Sequence, residues 1–176
     1  GKSQVAATAP APARQSRHRR EPRRRSSAAA DQCGAARGLG FAICRAFLAA
    51  GATVIVNDRT AEQAGLAIER LGPGSALAAP GDLAVPAEID TIMGVARRAG
   101  HLDVLINNAA VNVERAIEET DDTHWDRHLA VNLMAPFFRV RSALPRLQRS
   151  QGTVINIASE LALHAIAKNA TYVTAQ

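Results

Sequence analysis

Aromatic residues are nearly missing from this chain: one Trp, one Tyr and four Phe in 176 residues, 3% of the total. A core without large rings must close on small side chains. The apolar fraction of 47%, rich in alanine, suits helices laid closely on a sheet. Cysteine is scarce as well. Cys33 and Cys44 form no CxxC pair and supply no framework of bridges, which points to reduced thiols and a cytoplasmic protein. No apolar stretch approaches the ~18–20 residues of a membrane span. No repeat and no linker divide the block 33–176, so a chain of this length reads as one folded domain.

Acidic residues are lacking at the start. Residues 1–32 carry Lys2, Arg14, Arg17, Arg19, Arg20, Arg23, Arg24 and Arg25 against Glu21 and Asp31. Of the 21 basic and 16 acidic residues, eight and two lie here, which leaves 13 and 14 for the rest. The net charge of +5 therefore belongs to this tail, and the nearly neutral remainder gives no sign of a specific nucleic-acid partner. Ala, Pro, Arg and Ser without apolar periodicity predict disorder over 1–32. Four readings of the tail stay open. It is an Arg-rich transit peptide, a non-specific phosphate binder centred on Arg17 to Arg25, a plain solvated tail, or GC-rich DNA translated in a wrong frame.

From residue 33 the pattern alternates. Helices are expected over 38–50, 60–71, 86–99 and 123–148, the last bent by Pro136 and Pro145 and capped by Asp122 or Thr123. Apolar runs at 53–56, 76–79, 104–106 and 153–157 read as strands, and helices alternating with such runs indicate a parallel α/β sheet. Before them, Ser26 to Gln32 is a poor strand, with Asp31 and Gln32 where a central strand should be apolar.

Cys33-Gly34-Ala35-Ala36-Arg37-Gly38-Leu39-Gly40 has three glycines ahead of a helix. Gly34 allows a tight turn, and Gly38 and Gly40 let backbone approach a pyrophosphate on the helix N-terminus. Asp58 follows the next strand, where a carboxylate accepts from both ribose hydroxyls of NAD and repels the extra phosphate of NADP. Arg59 beside it would instead favour that phosphate, so NAD is expected and NADP is the alternative.

With these residues the chain resembles the short-chain dehydrogenase/reductase family. The glycine loop, with Cys33 in place of Thr, resembles its first motif. Gly81-Asp82-Leu83 is similar to the acidic motif whose Asp meets adenine. Asn107-Asn108-Ala109-Ala110 is similar to the family's Asn-Asn-Ala-Gly. Trp125 to Leu133 resembles the helix with the catalytic Asn, here Asn132. Gly152 to Ser159 resembles the strand that ends in the catalytic serine, and Tyr172 follows at the family's usual spacing.

The resemblance implies a Rossmann-like doubly wound sheet. It implies a nicotinamide cofactor held by Gly34, Arg37, Gly38, Leu39, Gly40, Asp58, Asp82, Leu83, Asn108, Ala109 and Ala110. It also implies hydride exchange with an alcohol or carbonyl substrate, with Tyr172 as acid/base, Ser159 orienting the reacting oxygen and Asn132 holding a relay water. Relatives of this kind often associate into homo-oligomers through the long helix and the next one.

One position departs. Gln176 stands where the family has lysine, the cation that favours the phenolate and grips the ribose. On this reading the chain is an incomplete member, with its first strand degraded and its last two absent. It would fold poorly alone and be an impaired enzyme, or a non-catalytic nucleotide-binding remnant. No metal is expected: His124 and His128 are spaced four apart without a third ligand or the Glu of a zinc protease motif.

Overall fold

The computed structural model describes residues 28–176, so most of the basic tail lies outside the described residues. Five strands form one parallel sheet in the order β3-β2-β1-β4-β5. They are β1 (Ala29–Cys33), β2 (Thr53–Asn57), β3 (Ala76–Ala78), β4 (Val104–Asn107) and β5 (Thr153–Asn156). The helices α1 (Gly38–Ala49), α2 (Ala61–Leu71), α3 (Pro86–Arg98), α4 (Asp122–Leu129), α5 (Ala135–Ser150) and α6 (Ala170–Ala175) connect or follow them. Two buried apolar clusters result. One joins Ile55, Ile92, Met93 and Leu105 to Ala143 and Leu147 of α5, and the other joins Val54 and Val56 to Cys44. Both cysteines are buried. No described helix is long and apolar enough to cross a membrane.

The first strand is a correction to the sequence reading. Far from degraded, β1 is the central strand, pairing with β2 from Ala29↔Thr53 to Cys33↔Asn57 and with β4 from Ala30↔Val104 to Gln32↔Ile106. There is thus no gap between β2 and β4, and residues 29–32 belong to the sheet rather than to the tail. Low intrinsic strand preference is overridden by ladders on both sides and by complete burial of Ala29 and Ala30 between β-branched neighbours. Asp31 is tolerated in the core because Arg139 of α5 reaches it at 3.1 Å.

The helix expected over 123–148 is also revised. Asp121, not Asp122 or Thr123, caps α4, accepting from the His124 N–H at 2.7 Å. A wider π-type turn, Ala130–Met134, then joins α4 to α5. Pro136 lacks the N–H that an α-helical ladder would direct to the Asn132 carbonyl, so the irregularity falls around Asn132, while Pro145 sits inside α5. Tyr172 lies within α6.

Candidate functional site

A cleft of about 550 Å³ opens where β1, β2 and β4 end. This is the edge of a doubly wound sheet where neighbouring strands send their chains to opposite sides, the usual place for a ligand. Its walls include Gly34, Arg37, Leu39, Gly40, Asp58, Asp82, Leu83, Asn108, Ala109 and Ala110. Every cofactor residue predicted from sequence except Gly38 is therefore brought together. Gly38 starts α1 just behind the wall, with φ +55 and open space around its missing Cβ, so its requirement is conformational. Gly34 has φ +65, and a Cβ there would come within 3.2 Å of the Ala109 Cα and the Asn108 amide. Both turn and close approach demand glycine at that position.

The loop is clamped from two sides. The Ala36 N–H donates to the Asp58 carboxylate at 3.1 Å, and its carbonyl accepts from Arg70 of α2 at 2.9 Å. Beneath it, the Cys33 sulfur accepts from the Asn108 and Ala109 N–H groups at 3.2 Å each, and the Asn108 amide donates to the Cys33 carbonyl at 3.1 Å. Asp58 also accepts from the Arg59 N–H at 2.8 Å. Each of its oxygens then keeps a lone-pair direction for a hydroxyl donor.

Three features of the cleft escaped sequence reasoning. Arg127 of α4 donates to both oxygens of Asp82 at 2.9 Å and lines the cleft with it. Asn57, buried at the end of β2, donates to the Ala79 carbonyl at 2.8 Å and so fixes the strand carrying the Asp82 turn. Val111, Asn112 and Val131 also line the cleft. These partners are distant in sequence, and no local pattern announces them. Partial burial pushes the Asp82 carboxyl up, but the Ala84 N–H and the Arg127 guanidinium outweigh it and hold it below the usual carboxylate range. A carboxyl held low contributes stability above its unfolded-state pKa, lost as pH falls through the folded value. Arg127→Leu should therefore have a lower thermal midpoint than the parent at neutral pH, with the gap closing as pH falls into the acid range. Superimposable midpoint-against-pH curves would contradict this.

The three candidate catalytic residues are not walls of this cleft. Asn132 sits in the π-type turn and spans the Val111 backbone, accepting from its N–H at 2.8 Å and donating to its carbonyl at 2.9 Å. It thereby secures the segment that follows Ala110. Ser159, half-buried after β5, accepts from the Leu161 N–H at 3.2 Å. Tyr172 is half-buried on α6, one turn before Gln176, whose N–H donates to the Tyr172 carbonyl at 3.1 Å. His128 and His124 pack with ring centroids 4.3 Å apart. His128 contacts the His124 carbonyl through Nδ1 at 2.8 Å and accepts from the Val113 N–H through Nε2 at 3.2 Å. Both ring nitrogens are thus engaged with backbone, and among the described residues no three metal-ligating side chains converge. His164 lies exposed in the loop before α6.

This arrangement fits a dinucleotide: a glycine-lined floor, the N-terminus of α1, a rim of Arg37, Arg59 and Arg127, and two carboxylates. Comparison with known proteins agrees. The family model described as short chain dehydrogenase matches residues 32–176. The chain is 37% identical over 154 residues to a D-beta-hydroxybutyrate dehydrogenase of Rhizobium meliloti, covering 81% of this chain and 58% of that one. It is 35% identical over 142 residues to L-fucose dehydrogenase of Mus musculus, covering 80% and 51%. A metagenomic short-chain oxidoreductase solved in complex with NADP superposes with a TM-score of 0.79 at 31% identity, covering 84% of this chain and 69% of that one. The chain belongs to the short-chain dehydrogenase family. It spans little more than half the length of the curated relatives it matches.

Proposed function

We propose that this chain is the nucleotide-binding part of an oxidoreductase that exchanges hydride between NAD and an alcohol or carbonyl compound. The observation that carries this is the single cleft lined by the glycine loop, Asp58, Asp82 and the Asn108 segment. In this reading the first turn of α1 receives the pyrophosphate, Asp58 accepts from the adenosine ribose, and Asp82 and Leu83 border the adenine. The nicotinamide, when bound, supplies the hydride acceptor or donor. Tyr172 gives or takes the substrate proton, Ser159 hydrogen-bonds the reacting oxygen, and Asn132 holds a relay water beside the segment it secures. Because Gln176 supplies no cation, the impaired-enzyme reading and the non-catalytic nucleotide binder differ only in turnover. NADH fluorescence with the purified chain tests both: binding with slow turnover supports the first, binding without turnover the second, and no binding overturns both.

NAD is chosen over NADP because Asp58 presents a carboxylate to the ribose edge, although Arg37 and Arg59 are exposed beside it and a solved relative carries NADP. Asp58→Ala removes charged hydrogen bonds of about 1.5–3 kcal/mol. The NADH-to-NADPH affinity ratio should therefore fall roughly 10–100-fold. An unchanged ratio in paired titrations would place the discrimination elsewhere.

A further inference from the structure

Arg139 is the largest fully buried side chain, with 0% exposure, and nothing in the proposed chemistry uses it. Its Nη1 donates to the Ile106 carbonyl at 3.1 Å and to the Asn107 side-chain oxygen at 2.7 Å. Its Nη2 meets the Asp31 carboxylate at 3.1 Å. Asn107 passes the connection on, donating to the Asn156 side-chain oxygen at 2.8 Å. One guanidinium thus joins β1 and β4 directly and β5 through Asn107. Just beyond these contacts the three strands release Gly34, Asn108 and, a few residues on, Ser159.

Stability does not demand such a pair. A buried ion pair is often matched or bettered by apolar residues of the same volume. The contact with Asp31 is an ion pair at 3.1 Å without good hydrogen-bond alignment. The well-made bonds of Arg139 are those to the end of β4. An apolar pair would fill the same space but would place no directional constraint on Asn107.

We propose that Arg139 is a positioning residue for the cofactor cleft, setting the spacing of the β1, β4 and β5 ends through Asp31, Asn107 and Asn156. This rests on the cleft binding a nicotinamide dinucleotide. Misplacement by about 1 Å costs up to ~10²-fold in rate at enzyme sites, and a cofactor held by the same strand ends is expected to feel an effect of that order. The fork is therefore worth one to two orders of magnitude in affinity.

The test is NADH fluorescence titration and thermal unfolding of the full chain in three forms: parent, Asp31→Val/Arg139→Leu, and Arg139→Lys. The double variant keeps the core filled and should unfold at or above the parent midpoint, yet bind NADH about 10–100-fold more weakly. Arg139→Lys keeps a cation beside Asp31 but loses the fork, and should weaken NADH to a similar degree. Parent-like affinity in either folded variant overturns the proposal, leaving Arg139 a charge-neutralising core residue. If the double variant does not fold, Arg139→Lys decides alone. A parent that binds no NADH instead overturns the nucleotide-binding reading and this inference with it.

Discussion

Replacing Arg139 alone by leucine, with Asp31 left in place, should destabilise the fold by about 3–5 kcal/mol, because it strands a carboxyl in the sheet core. For a domain of this size that corresponds to a fall of roughly 10–20 °C in the thermal midpoint. Asp31 has 0% exposure and lies between Ile55 and Leu105 of the flanking strands, so water cannot replace the lost cation. Burial already pushes the Asp31 carboxyl up, against the pull of Arg139. Without the guanidinium that opposition disappears and the carboxyl rises further. The sign of the pH response follows. A carboxyl whose folded pKa exceeds its unfolded value, ordinarily ~3.9, favours folding below that value. The contribution is lost as pH rises through the folded pKa. Arg139→Leu should therefore be relatively more stable in mild acid than at neutral pH, the reverse of ordinary acid denaturation. Urea midpoints measured from acid to neutral pH check both size and sign. A midpoint close to the parent's at neutral pH would mean that Asp31 finds another partner or a path to water.

Gln176→Lys should raise turnover about 10²-fold, the scale of one general acid/base contribution. Tyr172 on α6 and Gln176, the C-cap residue of that helix, lie one turn apart, with the Gln176 N–H donating to the Tyr172 carbonyl, so side chains at the two positions lie near one face. A lysine there places a cation beside the only tyrosine in the chain. Opposite charge within a few ångströms favours the ionised form of an acid. On the proposed reading, the same ammonium would also offer the nicotinamide ribose a charged donor. The check is the NAD-linked oxidation rate of a secondary alcohol by parent, Gln176→Lys and the double change Gln176→Lys/Tyr172→Phe. The gain should vanish in the third. A rise that survives loss of the phenol would assign the lysine effect to cofactor binding, and no rise at all would remove Tyr172 from the chemistry.

Much of the fold was legible because its signals are local. The runs at 53–56 and 104–106, the glycine stops and Pro86 at the start of α3 each announce an element within a few residues. The wall of the cleft was legible in part, since the glycine loop and Asp58 fall at strand ends that periodicity locates, while Asp82 and Asn108 were reached through the family resemblance. β1 was not. Ala29-Ala30-Asp31 has neither β-branching nor apolar continuity, and its burial depends on an arginine that folds back from α5. Arg127 was missed on similar grounds, lying 45 residues from the carboxylate it holds. The π-type turn escaped because the missing N–H of Pro136 perturbs the ladder one turn before the proline itself, which a bend expected at Pro136 and Pro145 does not place. Side-chain pairing between distant elements is a property of topology, which short-range pattern does not encode.

The double clamp on Ala36 bears on the speed of ligand capture. With the Ala36 N–H held by Asp58 and its carbonyl by Arg70, the glycine loop is tied down on both sides before any ligand of the proposed kind arrives. Little conformational freedom remains to be surrendered on binding, so association should proceed as a single collision-limited phase without a slow rearrangement. Severing the Arg70 contact would then appear in stopped-flow traces as a second, concentration-independent step, with the loop settling after the encounter.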